Sequence, residues 1–523
     1  MKRGVFVILF ILLISFNIIL GFYKIEKVRL EERILQLDEI NKFAVSENAE
    51  HIQEFEGKLE IIVEDYIDEG KANYLYYINT GQGIYKINSI PQNLKLVSGM
   101  QIRINGILKE NSASGENEIN VNEFSLKDGD QQILASAPVV GVKNVTFIKI
   151  KFSDDSAEIL DDAGMDEMME NVKNYYNESS YGLVTLNYTI LGYYTIEMNK
   201  NCDINAISNN IFNDVIINND VNWLEVNNLV IAWGSDNCPW RGISSTGGIV
   251  TRTTLDGVAK LGISGLDSPK RIELVTAHEM GHQFRLDHAN YLDCGNEIIG
   301  EYGCPTVEYG DQFDVMGNSS QRGHFNTIHK EKLGWINPDQ IINNPENGIN
   351  FITPLENSRG IKAIKIPYSP VYSYYLEYKR SIGFDSYILD LKGEELYRGV
   401  LLHSNEAYSN INLKSDSQLL DNTPLNDDFD VVVRPDKPFV DFTGNEIFTV
   451  RNFNSSGVEV IIGPSDCNNG ADGILSGGVC NGCVEQGELQ DYVEKYFIDY
   501  TEITQISGSI KTYLTDLQNP DCG

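Results

Sequence analysis

The chain has 523 residues, of which 41 are basic and 75 acidic, for a formal net charge of −34; 42% of its residues are hydrophobic and 10% aromatic. That length exceeds a single hydrophobic core, so three or four domains are expected, and the composition is that of a globular chain, not a disordered one. The acid excess argues against nucleic acid as a partner, because phosphate binding needs a basic face, and leaves cation binding or cationic substrates open.

Met1-Lys2-Arg3 precedes an apolar run from Gly4 to Phe22. Its length suits a bilayer, and no small-x-small cleavage site follows it. A signal anchor over 1–23 is therefore preferred to a cleaved signal peptide, with attachment to a membrane as the consequence. Residues 24–55 read as a charged helical stalk, with Leu30, Ile34, Leu37 and Ala44 in a loose heptad rhythm; an ordinary amphipathic helix fits equally well. From 56 to 135 the pattern changes to short alternating strands, such as Leu59-Glu60-Ile61-Ile62-Val63 and Ile84-Tyr85-Lys86-Ile87, punctuated by Gly81, Gly83, Gly99 and Gly106. About five strands predict a small OB-like β-barrel. A linker around Ala135-Ser136-Ala137-Pro138 closes it.

Residues 139–345 alternate strands and helices. Val145 to Phe152, Leu183 to Ile196 and Leu229 to Trp233 read as strands; Met165 to Tyr176 and Ile204 to Ile217 read as helices. The stretch from Trp240 to Val250 is read as a rim strand able to pair with an extended peptide. A helix from Arg271 to Phe284 then carries His278-Glu279-Met280-Gly281-His282. Two histidines one helical turn apart face the same way and can share a Zn²⁺ ion. Glu279 beside them is placed to act as general base toward an activated water. His288 follows ten residues after His278, at a spacing that can return a third imidazole to the metal. Three of the chain's seven histidines lie in these eleven positions, which makes a chance clustering on a surface helix a poor account.

Further on, Tyr309-Gly310-Asp311-Gln312-Phe313-Asp314-Val315-Met316-Gly317 places Met316 in a tight turn. A methionine there is expected to form a hydrophobic floor beneath a three-histidine site without ligating the ion. Phe325 to Ile336 reads as a closing helix stopped by Gly334. Residues 346–463 are again strand-rich and suggest a β-sandwich-like domain. Asp421, Asp427, Asp428 and Asp430 form either a Ca²⁺ site or, preferably, a solvated acidic loop. The eight cysteines all follow residue 201. An even count in an exported chain suggests disulfides. Cys294 with Cys304 would close a short loop and Cys202 with Cys238 a longer one, although spacing does not prove connectivity. The tail, 464–523, holds Cys467, Cys480, Cys483 and Cys522, read as two disulfides in preference to a zinc site. Five sequons, at Asn144, Asn177, Asn187, Asn318 and Asn454, permit glycosylation.

His278, Glu279, His282, His288 and the Tyr309-Gly310-Asp311…Met316-Gly317 segment resemble the metzincin zinc metalloproteases, the gametolysin-type branch in particular. The segments ending in His329-Lys330-Glu331-Lys332-Leu333-Gly334-Trp335 and containing Tyr375-Leu376-Glu377-Tyr378-Lys379-Arg380 add to the likeness. The resemblance spans about Val139 to Gly463. It implies an α+β, zincin-like catalytic domain and a zinc-dependent endopeptidase. Its substrate would be protein or peptide, and the chain would be secreted or sit on the outer face of the membrane. The chain departs from the family at Arg285, where the pattern has Gly at the point where the chain turns back. A side chain in a left-handed backbone costs about 1 kcal/mol, and neighbouring Asp287 is the fallback ligand should His288 miss the metal. The contrasting expectation is a catalytically silent surface-binding or structural protein on the same fold. With no cysteine before Cys202, a thiol from an N-terminal pro-segment is excluded as a latency device.

Overall fold

The computed structural model describes residues 52–91, 96–110, 117–127, 137–247, 250–294, 304–317, 323–346, 348–368, 372–388, 395–405, 415–422, 431–434, 439–440 and 446–464. The expected anchor, nearly all of the stalk, Asp427, Asp428, Asp430, Asn318 and the cysteines of the tail lie outside them. Among the described residues no helix is long and apolar enough to cross a membrane. The described chain divides into two units, one holding 52–60 and 75–127, the other 61–74 and 137–464.

The strands of the first region are β1 (Gln53–Tyr66), β2 (Lys71–Asn79), β3 (Ile84–Ile87), β4 (Gln101–Glu110) and β5 (Asn117–Leu126). They pair in the order β2-β3-β5-β4-β1, and β2 returns to β1, which closes the small barrel that the alternating pattern predicts. Leu59, Ile78, Ile102, Ile104 and Ile119 are buried in it, each contributing about 1.5–3 kcal/mol of apolar burial. β1 begins at Gln53, inside the segment expected to be stalk. Residues 61–74, comprising the end of β1, a one-turn 3-10 helix and the start of β2, cluster with the second unit and not with the barrel.

The second unit continues with β6 (Gly141–Phe152), α1 (Asp162–Ser179), β7 (Val184–Ile196), α2 (Ile204–Asn213), α3 (Val215–Asp220), β8 (Asn228–Ala232), β9 (Gly242–Thr246), β10 (Val250–Thr254), β11 (Gly257–Leu266), α4 (Ile272–Gln283), β12 (His288–Leu292), β13 (Thr306–Val307) and α5 (Thr327–Leu333). The predicted Ile204–Ile217 helix is broken in two because the Asp214 carboxylate accepts the N–H groups of Ile216 and Ile217 and starts a second helix. β7, β6, β8 and β11 run parallel, and β9 lies antiparallel beside β11. Ile61–Asp65 of β1 adds antiparallel to β9 on its other side.

Helices α1 and α4 pack against each other and against this sheet. α1 buries Met165, Met168, Met169, Val172, Tyr175 and Tyr176 on one face, at the i, i+3, i+4, i+7 spacing of an amphipathic helix. Its start is capped by Asp161, whose carboxylate accepts the Gly164 N–H at 2.8 Å. α4 is buried all round, so its sequence shows little amphipathic contrast. Their shared core joins Phe147, Val230, Ala232, Met280, Met316 and Trp335.

The remaining strands are β14 (Ile341–Asn343), β15 (Gly348–Ile352), β16 (Ala363–Pro367), β17 (Ser373–Glu377), β18 (Val400–Ser404), β19 (Ser415–Leu420), β20 (Val432–Val433), β21 (Phe439–Val440), β22 (Glu446–Asn454) and β23 (Gly457–Pro464). Among the described residues they do not stand apart from the preceding region as a sandwich beginning at residue 346. One eight-stranded sheet, ordered β13-β12-β19-β18-β17-β16-β14 with β20 on β18, draws three strands from the region before that boundary; β15, β23, β22 and β21 form a separate four-stranded sheet. β12 pairs parallel with β19, a long-range pairing that no local pattern announces.

Candidate metal centre

Helix α4 places His278 and His282 one turn apart, and how the helix ends decides where the third histidine falls. Arg285 has φ 76°. Its N–H donates to the His282 carbonyl at 2.8 Å, and the Leu286 N–H donates to the Gly281 carbonyl at 3.0 Å. This is the Schellman pattern, with Arg285 at the left-handed position that glycine usually occupies. The conformation costs about 1 kcal/mol for a residue with a Cβ, partly offset by an Arg285 Nη2 hydrogen bond to the Ala137 carbonyl at 2.7 Å. The turn sends the chain into β12, whose first residue is His288. Asp287, the fallback ligand, instead accepts the Thr246 hydroxyl at 3.2 Å and is not in the cluster.

The three imidazoles converge. Nε2 of His282 lies 3.2 Å from Nε2 of His278 and 3.1 Å from Nε2 of His288. His278 Nδ1 lies 2.8 Å from the Val315 carbonyl, and His282 Nδ1 lies 2.8 Å from the Leu286 carbonyl. A carbonyl only accepts, so both Nδ1 atoms carry the proton and both Nε2 atoms present lone pairs. His288 Nδ1 is bonded to the Glu308 carboxylate, so its Nε2 is the nitrogen that faces the other two. Three buried imidazole nitrogens at this distance need a proton or a metal cation between them. Tetrahedral Zn²⁺ with bonds of about 2.0–2.1 Å would hold its nitrogens about 3.3–3.4 Å apart, so the donor set fits the ion. Partners on the far ring nitrogen are what orient such ligands.

A fourth candidate ligand comes from β1, a strand that the sequence reading assigned to the barrel alone. Asp65, near the end of β1, puts Oδ2 3.5 Å from His278 Nε2 and 3.2 Å from His282 Nε2, and Oδ1 3.1 Å from His288 Nε2. Asp65 with the three histidines is the one candidate metal group among the described residues. The Tyr309 hydroxyl donates to Asp65 Oδ1 at 2.7 Å. Burial opposes ionisation of Asp65, but the neighbouring imidazoles outweigh it and hold the carboxyl well below the usual range. Burial likewise disfavours a charged His288, yet the Asp65 and Glu308 carboxylates raise it to about 10; for His278 burial prevails and its pKa falls.

Met316 lies directly beneath α4. A Cβ on Gly281 would collide with the Met316 sulfur, so the helix can approach the methionine only because residue 281 has no side chain. Asp314 shapes this turn: its carboxylate accepts the Met316 N–H at 2.7 Å, the Asn326 N–H at 2.7 Å and a His329 Nδ1 contact at 2.8 Å.

Residues 156–326, which contain the whole cluster except Asp65, match the family model described as Metallo-peptidase family M12. This stretch is similar to a metallopeptidase. Among solved structures, metalloproteinase-II from Bacteroides fragilis matches at 11% identity over 50% of this chain and 75% of that one, with a TM-score of 0.23. A chaperone-substrate complex matches at 13% identity over 44% and 34%, with a TM-score of 0.21. No curated protein matches the chain.

Beside the metallopeptidase-like cluster, Glu279 is fully buried, and Asp65 is the charged side chain that acts on its carboxyl. Burial, and then the charge of Asp65, raise its pKa well above the ordinary value. Gly242, the first residue of β9, borders this carboxylate so closely that a Cβ would collide with it. The disulfides Cys202–Cys238 and Cys294–Cys304 are formed, with Cα–Cα distances of 5.7 and 4.8 Å. Asp421 lies close to the Tyr291 hydroxyl, 3.4 Å away, and lends the Ca²⁺ expectation no support. Asp65, Glu308, Gly242 and Asp314 escaped sequence reasoning. Of these, Asp314 and Gly242 stood in segments already marked as functional, the methionine turn and the rim strand.

Proposed function

We propose that residues 139–345 form a zinc-dependent endopeptidase of the metzincin type, with gametolysin-type relatives, acting on proteins or peptides outside the cell or at its envelope. The observation that carries this reading is the convergence of three imidazoles, with His282 Nε2 3.2 and 3.1 Å from the Nε2 atoms of His278 and His288, beside the buried Glu279 carboxyl. His278, His282 and His288 would hold Zn²⁺, which supplies an acidified water and a Lewis acid for the scissile carbonyl. Glu279 accepts the proton of the attacking water and passes it to the leaving amine. β9 presents main-chain groups along which an extended peptide can lie as an added strand. Met316 keeps the imidazoles from sinking into the core. The likeness of residues 156–326 to metallopeptidases supports the assignment.

The test is metal content together with cleavage of a peptide library, measured on the Asp65→Ala chain so that the fourth corner is free. Zinc-dependent cleavage that a chelator abolishes is expected. Zinc binding without cleavage would favour the silent scaffold instead.

A further inference from the structure

Tyr309 is held in a conformation that a tyrosine adopts only at a cost. Its φ is 56°, in the left-handed region, where a residue with a Cβ loses about 1 kcal/mol. Its neighbours enforce this. The Tyr309 N–H donates to Oδ1 of Asn290, in β12, at 2.8 Å. Gly310, which follows, lies so close to Tyr291 that a Cβ there would collide with it. The Tyr309 ring is buried against His288, with ring centroids 4.4 Å apart. Together these contacts fix where the hydroxyl goes. It donates to Asp65 Oδ1 at 2.7 Å, with the Lys71 carbonyl a poorer acceptor at 3.4 Å. That same Oδ1 stands 3.1 Å from His288 Nε2. The phenol proton is therefore aimed at an anionic oxygen in the corner that the three imidazoles face. A phenylalanine would fill the space equally well. Backbone strain spent on aiming a buried donor into this corner points to function.

From this placement we infer that Tyr309 is a further catalytic residue: its hydroxyl donates a hydrogen bond to the scissile carbonyl oxygen as that oxygen gains charge. The inference rests on the zinc-peptidase reading. A peptide presented for hydrolysis brings its carbonyl oxygen to the corner that Asp65 Oδ1 fills, and the phenol meets that oxygen as it meets the carboxylate. As the water oxygen bonds to the carbonyl carbon, the π pair moves onto the carbonyl oxygen and Glu279 takes a water proton. Tyr309 keeps its own proton throughout, and its hydrogen bond strengthens with the charge. When the pair returns, the C–N bond breaks and the proton on Glu279 passes to the leaving nitrogen. The two residues divide the work: Glu279 moves protons and Tyr309 holds charge. A donor already oriented in a buried site needs no reorganisation as the charge develops, so it acts on the transition state more than on the bound peptide.

The test uses the full zinc-loaded chain carrying Asp65→Ala, with and without Tyr309→Phe. Phenylalanine keeps the ring against His288 and removes only the hydroxyl. Three quantities are measured on both chains: zinc content, steady-state peptide cleavage, and the dissociation constant of a phosphinic pseudopeptide. The tetrahedral, anionic phosphinate presents an oxygen where the carbonyl oxygen would gain charge. Tyr309→Phe is expected to lower kcat by about 10²–10³-fold, the scale of one lost oxyanion donor, with KM and zinc content little changed. Affinity for the phosphinate should fall by a similar factor, since it resembles the transition state and not the substrate. A higher KM with kcat unchanged, or equal phosphinate affinity in the two chains, would overturn the inference and leave the peptidase reading standing. Loss of zinc in Tyr309→Phe would make the residue a support for His288 and overturn it too. If Asp65→Ala takes up zinc but cleaves nothing, the peptidase reading fails and the inference falls with it.

Discussion

In the proposed centre His278, His282, His288 and Glu279 carry the chemistry, and Arg285 and Met316 shape the geometry. Glu279 differs from an ordinary surface carboxylate because burial and the nearby Asp65 charge raise its pKa. In the Asp65→Ala chain, Glu279→Gln is expected to lower turnover by about 10²–10⁴-fold while leaving zinc content unchanged, the scale of a lost general base; a peptide assay paired with elemental analysis checks this. Arg285 is the residue where family expectation and sequence part. Its left-handed φ of 76° shows that the backbone path is kept without glycine. Arg285→Gly should relieve about 1 kcal/mol of strain and lose the hydrogen bond to Ala137, so thermal unfolding is expected to move little and zinc affinity not at all. A several-fold loss of zinc affinity would show that the guanidinium does more than hold Ala137. The histidine spacing and Met316 were legible because they are local patterns. Asp65 was not: it lies 213 positions before His278 and, in an alternating strand, reads as one more polar residue.

At the scale of elements, α4, β9 and the Met316 turn are fitted to one another through positions that tolerate no Cβ. Gly242→Ala would drive a methyl group into the Glu279 carboxylate, and Gly281→Ala one into the Met316 sulfur. Gly281→Ala is expected to destabilise by about 1–3 kcal/mol, the usual cost of overpacking, read as a lowered midpoint in denaturant unfolding. Gly242→Ala should cost activity more than stability, read by comparing peptide turnover with the same unfolding midpoint. Helix α5 carries a different probe. Lys330 is fully buried, 4.2 Å from the Tyr181 ring, and burial depresses its pKa to about 7. Between that value and the unfolded value of about 10.4, the unfolded chain binds the extra proton, so this group's contribution to stability rises with pH. The wild type should therefore gain stability relative to Lys330→Met as pH climbs from 7 to 10, measured as the difference in unfolding midpoints. Element types were legible from periodicity for β6, α1, β7, β8 and α4. The break at Asp214 was missed because the apolar rhythm runs through it, while the side chain caps a new helix.

At the scale of the molecule, the barrel was legible from its alternating strands and glycine turns. The division of the chain was not. Residues 61–74 cluster with the unit that holds the histidine cluster although they share strands with the barrel, and β12 enters a sheet with strands more than a hundred residues later. Such assignments depend on pairings between distant segments, which no local window contains. Binding of zinc to the folded unit alone would stabilise it by about 2.7 kcal/mol at a hundredfold excess over the dissociation constant, so a chelator should lower the thermal midpoint. The most direct measurement is the zinc content of the purified full chain beside His278→Ala, His282→Ala and His288→Ala. About one zinc per wild-type chain is expected, as a single tetrahedral site requires, and its loss in each variant. A metal-free wild type, or zinc retained when all three histidines are replaced together, would contradict it.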